Sequence, residues 1–193
     1  MEKSPLPLPR LSDAAVLLRE WEPADLSVLL AAGRDPVVSR FRYSLPGSDG
    51  EAFDWLRAVE RDRLAGEWLE LAITAPPGRP VGSIALTDLE HGNGMLRYWL
   101  LPEGRGRGLA THAVRLLASW AFGELGLGRL ALYIEPENVA SQALAVRCGF
   151  VREGLLRKLM KGRDGERIDL LLYGLLPDEL TGDAASGPAV DRA

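Results

Sequence analysis

The spacing of apolar residues changes several times along the chain, and each change predicts an element. "AVLLREW" (Ala15–Trp21) is a short apolar run that predicts a strand, stopped by Glu22 and Pro23. "ADLSVLLAAG" (Ala24–Gly33) returns leucine at helical spacing through Leu26, Leu29 and Leu30 and ends on a glycine. "EAFDWLRAVERDRLAG" (Glu51–Gly66) predicts a second amphipathic helix, turning Phe53, Leu56 and Val59 through its face. The period then drops to two. "EWLELAIT" (Glu67–Thr74) and "VGSIALTDL" (Val81–Leu89) alternate on either side of "APPGRP", a hairpin by turn chemistry. "EHGNG" turns the chain again before "MLRYWLL" (Met95–Leu101). Past a glycine-rich stretch, Leu109, Ala113, Leu116, Leu117 and Trp120 share one helical face. "LGRLALYIEP" (Leu127–Pro136) then predicts a strand and "NVASQALAVRCG" (Asn138–Gly149) a short helix. "FVREGLLRKLM" (Phe150–Met160) and "RIDLLLYGLL" (Arg167–Leu176) form a closing hairpin across "KGRDGE".

A run of antiparallel strands that passes into one strand–helix–strand crossover implies an α+β fold. The sheet is expected to be mixed, mostly antiparallel and seven-stranded, with flanking helices. One domain is expected over residues 11–176, with residues 1–10 as an N-terminal extension and residues 177–193 as a flexible acidic tail.

Composition narrows the function classes. A hydrophobic share of 47% supplies a sizeable core, yet no apolar run approaches the ~18 residues of a membrane span. The proline-broken N-terminus does not read as a secretory signal, and a lone Cys148 agrees with a reducing cytoplasm. The net charge is −4, and the tail from Pro177 holds four acids against one arginine, which leaves about −1 for the body. Such a balance argues against nucleic-acid binding, which needs a basic footprint. Two distant histidines and one cysteine make no zinc-type cluster, so no metal is expected.

The chemistry concentrates in "PEGRGRGLAT" (Pro102–Thr111), where glycines alternate with arginines at a helix start. A Walker loop needs Gly-Lys followed by Ser or Thr, and no lysine is present. A dinucleotide fingerprint needs glycine at 109 or 111, where Leu109 and Thr111 stand. What remains is Arg105-x-x-Gly108-x-Ala110. Small residues there let a diphosphate approach the backbone, and first-turn N–H groups without intrahelical acceptors make an anion site. Arg105 and Arg107 can add charge-assisted bonds.

This pattern resembles the acyl-coenzyme-A-binding motif of the GNAT N-acetyltransferases, over about Leu11–Leu176. "YWLLPEGRGRGLAT" followed by "YIEPENVASQALAVRCGF" is most similar to the branch that acetylates N-terminal amines of ribosomal proteins. Asn138, Ser141, Arg147, Gly149 and Phe150 match that branch's signature. The resemblance implies acetyl-CoA as co-substrate, held by Leu100, Leu101, Arg105, Gly106, Arg107, Gly108, Leu109, Ala110, Thr111, Asn138 and Ser141. It further implies that Leu100 and Leu101 lend backbone groups to pantetheine and that Arg105–Thr111 cradle the pyrophosphate.

Ser141 is the candidate catalytic residue, protonating the leaving thiolate; Asn and Ser are equally ordinary caps of a helix start. The chain departs from its relatives at Met95, where a glutamate able to act as base is common. A base then comes from Glu70, Asp88, Glu90, His91 or bulk water. His91 in a turn and His112 in the first helical turn read as solvated, Cys148 as a buried small side chain, and Trp55 and Trp68 as candidate cleft walls. Arg157 and Asp169 are expected to pair across the last hairpin. The expected activity is acetyl transfer to a primary amine, a peptide N-terminus or a small molecule, by direct attack in a ternary complex. The enzyme is expected to be a cytoplasmic monomer or homodimer. The alternative is a non-catalytic acyl-CoA-binding sensor or assembly module. The acceptor itself is not encoded readably in the loops at Phe41–Asp49 and Lys161–Glu166.

Overall fold

A computed structural model describes residues 3–41, 45–76, 78–162 and 165–181. In chain order the strands are β1 (Leu11–Ser12), β2 (Leu17–Arg19), β3 (Leu69–Ala75), β4 (Arg79–Glu90), β5 (Asn93–Leu100), β6 (Arg129–Ile134), β7 (Val151–Lys161) and β8 (Arg167–Leu175). The helices are α1 (Leu26–Arg34), α2 (Pro36–Phe41), α3 (Asp49–Leu64), α4 (Leu109–Gly123) and α5 (Val139–Arg147). One sheet orders them β1-β2-β3-β4-β5-β6-β8-β7. Every neighbouring pair is antiparallel except β5 and β6, which flank the α4 crossover.

The expected α+β architecture holds, with eight strands where the pattern predicts seven. The additional strand is β1, whose Leu11 and Ser12 pair with Leu18 and Leu17. Two residues are too few to show a period. Helix α2 is also absent from the pattern. Asp35 makes it: its Oδ1 accepts from the N–H groups of Val37 (3.1 Å) and Val38 (2.8 Å), and Pro36 sits at the first helical position. At α3 the Ser48 side chain accepts from Glu51 N–H, and the Glu51 carboxylate returns a bond to Gly47 N–H, so the helix starts at Asp49.

The sheet separates two apolar layers. Beneath α4, residues such as Leu71, Ile73, Leu86, Leu96, Leu117 and Leu130 are excluded from water. On the other face, α1 to α3 cover Trp21, Leu29, Ala72 and Trp99, with the Trp21 and Trp99 rings stacked at 6.1 Å. Full burial of each leucine or isoleucine among them contributes about 1.5–3 kcal/mol.

Both expected flanks touch the body. Leu6 N–H bonds Arg63 O (3.0 Å) and the Arg63 guanidinium returns a bond to Leu6 O (2.6 Å). Thr181 N–H bonds Cys148 O at 3.2 Å, and Leu180 packs on the main core. Residues 182–193 of the tail lie outside the described residues. In the closing hairpin, Asp169 receives the Lys158 N–H (2.8 Å), and no ion pair joins it to Arg157 among the described residues.

Candidate active site

Strands β5 and β6 pair over only three rungs, Asn93–Arg129, Gly94–Leu130 and Met95–Ala131, and then part. A cavity of about 1080 Å³ occupies the gap. It is lined from the α4 side by Leu100, Leu109 and Ser141, and from the α1–α3 side by Val38, Trp55 and Glu70. The cavity is therefore bordered by residues from both sides of the sheet.

Strand β5 supplies backbone groups to the gap. Leu101 N–H bonds Val81 O on β4 (2.8 Å). Antiparallel alternation turns the N–H and C=O of Tyr98 and Leu100 to the opposite side, toward β6. These donors suit an amide-bearing chain laid along the strand, or an oxyanion.

At the strand's end, Gly106 and Gly108 adopt φ of 71° and 76°, a left-handed conformation that side chains disfavour. A Cβ on Gly106 would meet nothing within 4 Å, and one on Gly108 only the His112 ring at 4.0 Å. The backbone here faces open space, and α4 begins without a side-chain cap. Unsatisfied N–H groups, a fifteen-residue helix and a bare backbone fit a diphosphate.

Every residue predicted for the co-substrate lines the cavity except Leu101 and Arg107. Leu101 turns into the core with Trp21 and Leu29. Arg107 is exposed and donates to Glu103 O at 3.2 Å. Arg105 lines the cavity, but its guanidinium is engaged by Asp35 (2.5 Å) and Leu100 O (3.0 Å).

Ser141 sits at the start of α5, where Asn138 Oδ1 accepts its N–H (3.1 Å), so Asn138 is the cap. The Ser141 hydroxyl lies 2.8 Å from the Tyr98 hydroxyl. The sequence reading missed Tyr98. Burial pushes its phenol up to about 12, against a smaller opposing effect of the Ser141 bond. The pair remains protonated throughout the neutral range.

Met95 also lines the cavity and brings no carboxylate. Of the four candidate bases only Glu70 reaches the cavity. It is 2% exposed; Oε1 accepts from the Ser83 hydroxyl (2.5 Å) and Oε2 from the Trp68 indole (2.8 Å). Asp88 lies instead beside Arg97 (3.6 Å), Glu90 ends β4, and His91 lies in the turn that follows. Trp55 and Trp68 do line the cavity, and the Arg97 guanidinium lies 5.4 Å over the Trp68 ring. Residues 42–44, 163 and 164 of the two acceptor loops lie outside the described residues.

His112 pairs with Asp13 at 2.7 Å on the surface. Cys148 is buried, and burial pushes its thiol up to about 11. Among the described residues no group of three or more His, Cys, Asp or Glu can hold a metal, and no helix is long and apolar enough to cross a membrane.

Residues 15–151 match the acetyltransferase (GNAT) domain family. The chain belongs to the GNAT acetyltransferases. The uncharacterised N-acetyltransferase p20 of Bacillus licheniformis is 31% identical over 86% of this chain and 94% of its own. The spermidine N(1)-acetyltransferase of Escherichia coli K12 is 26% identical over 74% of this chain and 76% of its own. Among solved structures, Mycobacterium smegmatis RimJ in complex with CoA-disulfide shares the fold, with a TM-score of 0.79 at 23% identity, covering 93% and 90% of the two chains. The protein is an acetyl-CoA-dependent N-acetyltransferase. The glycine turn and parted strands of this GNAT domain are the features that suit its co-substrate.

Proposed function

We propose that this acetyltransferase modifies the α-amine of a peptide N-terminus, or a small monoamine with an apolar substituent, by direct attack in a ternary complex. The observation that carries the reading is the acceptor wall. Val37, Val38, Trp55 and Val59 surround the entrance, and Glu70 is the carboxylate set deep among them. A long polycation would need several carboxylates spaced along the wall. Besides Glu70 the described lining offers Asp62, whose carboxylate is already paired with Arg61 (2.7 Å), and Glu135, which lies 3.9 Å from the Arg40 guanidinium of α2.

Acetyl-CoA supplies a thioester carbonyl open to a neutral amine. Glu70 holds the incoming ammonium by charge, and an α-amine yields its neutral form to water unaided because it titrates near ~7.7–8.0. As the new C–N bond forms and the C–S bond breaks, one N–H proton must reach the sulfur. Ser141 presents its hydroxyl hydrogen to the departing thiolate, Tyr98 replaces it from 2.8 Å, and the proton shed by the amine returns through water to the Tyr98 oxygen. Neither side chain loses a proton overall, which suits a phenol held near 12. No activated nucleophile calls for a covalent acyl-enzyme.

Single-cysteine usage supports a cytoplasmic setting. Met95 favours one other reading, a non-catalytic acyl-CoA sensor, and the Tyr98–Ser141 pair weighs against it. Thiol release from acetyl-CoA over a mixed amine panel, with products identified by mass spectrometry, tests the proposal. Acetylated N-terminal peptides are expected; binding of acetyl-CoA without turnover on any amine would replace it with the sensor.

A further inference from the structure

Arg105 belongs to the motif that the sequence assigns to phosphate, yet its side chain does different work. Nη2 donates to Asp35 Oδ1 at 2.5 Å and Nε donates to Leu100 O at 3.0 Å. The Asp35 side chain is only 9% exposed, and the same Oδ1 takes the Val37 and Val38 N–H groups that start α2. Val37 and Val38 are acceptor-wall residues. One guanidinium thus ties together the corner between α1 and α2, the wall that α2 carries, and the strand end beside the pantetheine path. Burial by itself would raise the Asp35 pKa; the Arg105 bond and the two amide bonds outweigh it and hold the carboxyl below its ordinary value.

We infer that Arg105 and Asp35 are a positioning pair, which sets the acceptor wall of α2 against the end of β5 and leaves the diphosphate to the backbone donors of residues 106–110. Moving the guanidinium to a phosphate would strand a largely buried carboxylate, the costly way to break an ion pair. It would also release the Leu100 carbonyl and let α2 drift from the cavity. The backbone cradle needs no such movement, since Gly106 and Gly108 already face open space. The pair therefore couples acceptor recognition to a correctly placed strand end. The inference rests on the proposed assignment of the α2 side to the acceptor.

The test compares Arg105→Ala, Arg105→Lys, Asp35→Asn and the Arg105→Ala/Asp35→Asn double variant. Asparagine keeps an oxygen for the two amide bonds and removes only the ion pair. The single Ala and Asn variants should raise the acceptor KM by about 10-fold with kcat nearly unchanged, the size of a lost charged hydrogen bond. The double variant should be no worse than either, because both remove one interaction. Arg105→Lys should recover part of the KM. Coenzyme A affinity by calorimetry should stay within about threefold in all four, and Val37 and Val38 amides should exchange faster in the Ala and Asn variants. The inference is overturned if Arg105→Ala weakens coenzyme A by about 30-fold or more while Asp35→Asn leaves it equal or tighter, since that pattern marks a phosphate ligand. Additive KM effects, or no KM change, overturn it as well. If no amine is turned over by the unmodified enzyme, the functional proposal fails separately, and the calorimetry and amide exchange still decide the role of Arg105.

Discussion

Tyr98 and Ser141 approach within 2.8 Å from residues that stand 43 apart in the chain, and their effect on rate should be joint. Ser141→Ala and Tyr98→Phe should each lower kcat by about 10²-fold, with coenzyme A affinity little changed. The double variant should be scarcely slower than either single one, because the two hydroxyls serve one proton path. Steady-state kinetics beside calorimetry check this, and a fall in melting temperature with unchanged kcat would reduce Ser141 to a helix-start residue. Tyr98 also leaves a mark on alkaline stability. Its folded value of about 12 lies above the ~10 of an unfolded tyrosine. Above pH ~10 the unfolded chain therefore gives up a proton that the folded chain keeps, and stability is lost as the pH climbs from about 10 to 12. Denaturant midpoints of Tyr98→Phe should fall less steeply across that window. On the acceptor side, a peptide with a free α-amine should react faster than the same peptide blocked at its N-terminus and offering only lysine. The neutral fractions of the two amines at pH 7 differ by about 10²–10³-fold. The rate at limiting acceptor should level off near the amine's own pKa, and Met95→Glu should move the profile to lower pH. Faster lysine acetylation in a mass-spectrometric assay would contradict this.

At the scale of elements, two glycines are required by shape. Gly108 begins α4 at φ 76° and faces the open cradle, so Gly108→Glu should abolish the rise in melting temperature that coenzyme A produces. Carboxylate repulsion and the filled approach act together, and normal binding by this variant would refute the cradle. Gly149 ends α5 at φ 96°, where a Cβ would collide with the Glu179 carbonyl oxygen. Gly149→Ala should therefore push residues 177–181 off the helix end and lower the melting temperature by several degrees, which calorimetry reads. Most elements were legible in the sequence: α4 because it buries a periodic face through Leu109, Ala113, Leu117 and Trp120, and β3 and β4 because their short apolar runs lie between turn signals and are buried on both faces of the sheet. Helix α2 was not, since Val37 and Val38 serve the cavity and leave no amphipathic signature over six residues. The left-handed glycine turn at Gly106 and Gly108 was equally readable, as its requirement is local. Roles fixed by distant partners escaped. Arg105 answers to Asp35, 70 residues earlier, and Tyr98 to a serine beyond two intervening elements, so no local spacing could disclose either.

For the molecule as a whole, the parting of β5 and β6 leaves the sheet as two half-sheets joined by three rungs and by α4. On the proposed reading, a co-substrate lying in the gap takes the place of the absent rungs, bonding one half through strand groups and the other through α5. Ligand binding to the folded chain alone stabilises it by about 2.7 kcal/mol at a hundredfold excess over Kd. Proteolysis that proceeds through opening of the seam then slows in step with the free coenzyme A pool. The survival time of this acetyltransferase under a fixed dose of protease should accordingly lengthen with coenzyme A concentration and saturate where the binding isotherm saturates. A cell short of coenzyme A in all its forms would thus be expected to clear the enzyme sooner, with no degradation signal beyond the sheet's own incomplete pairing.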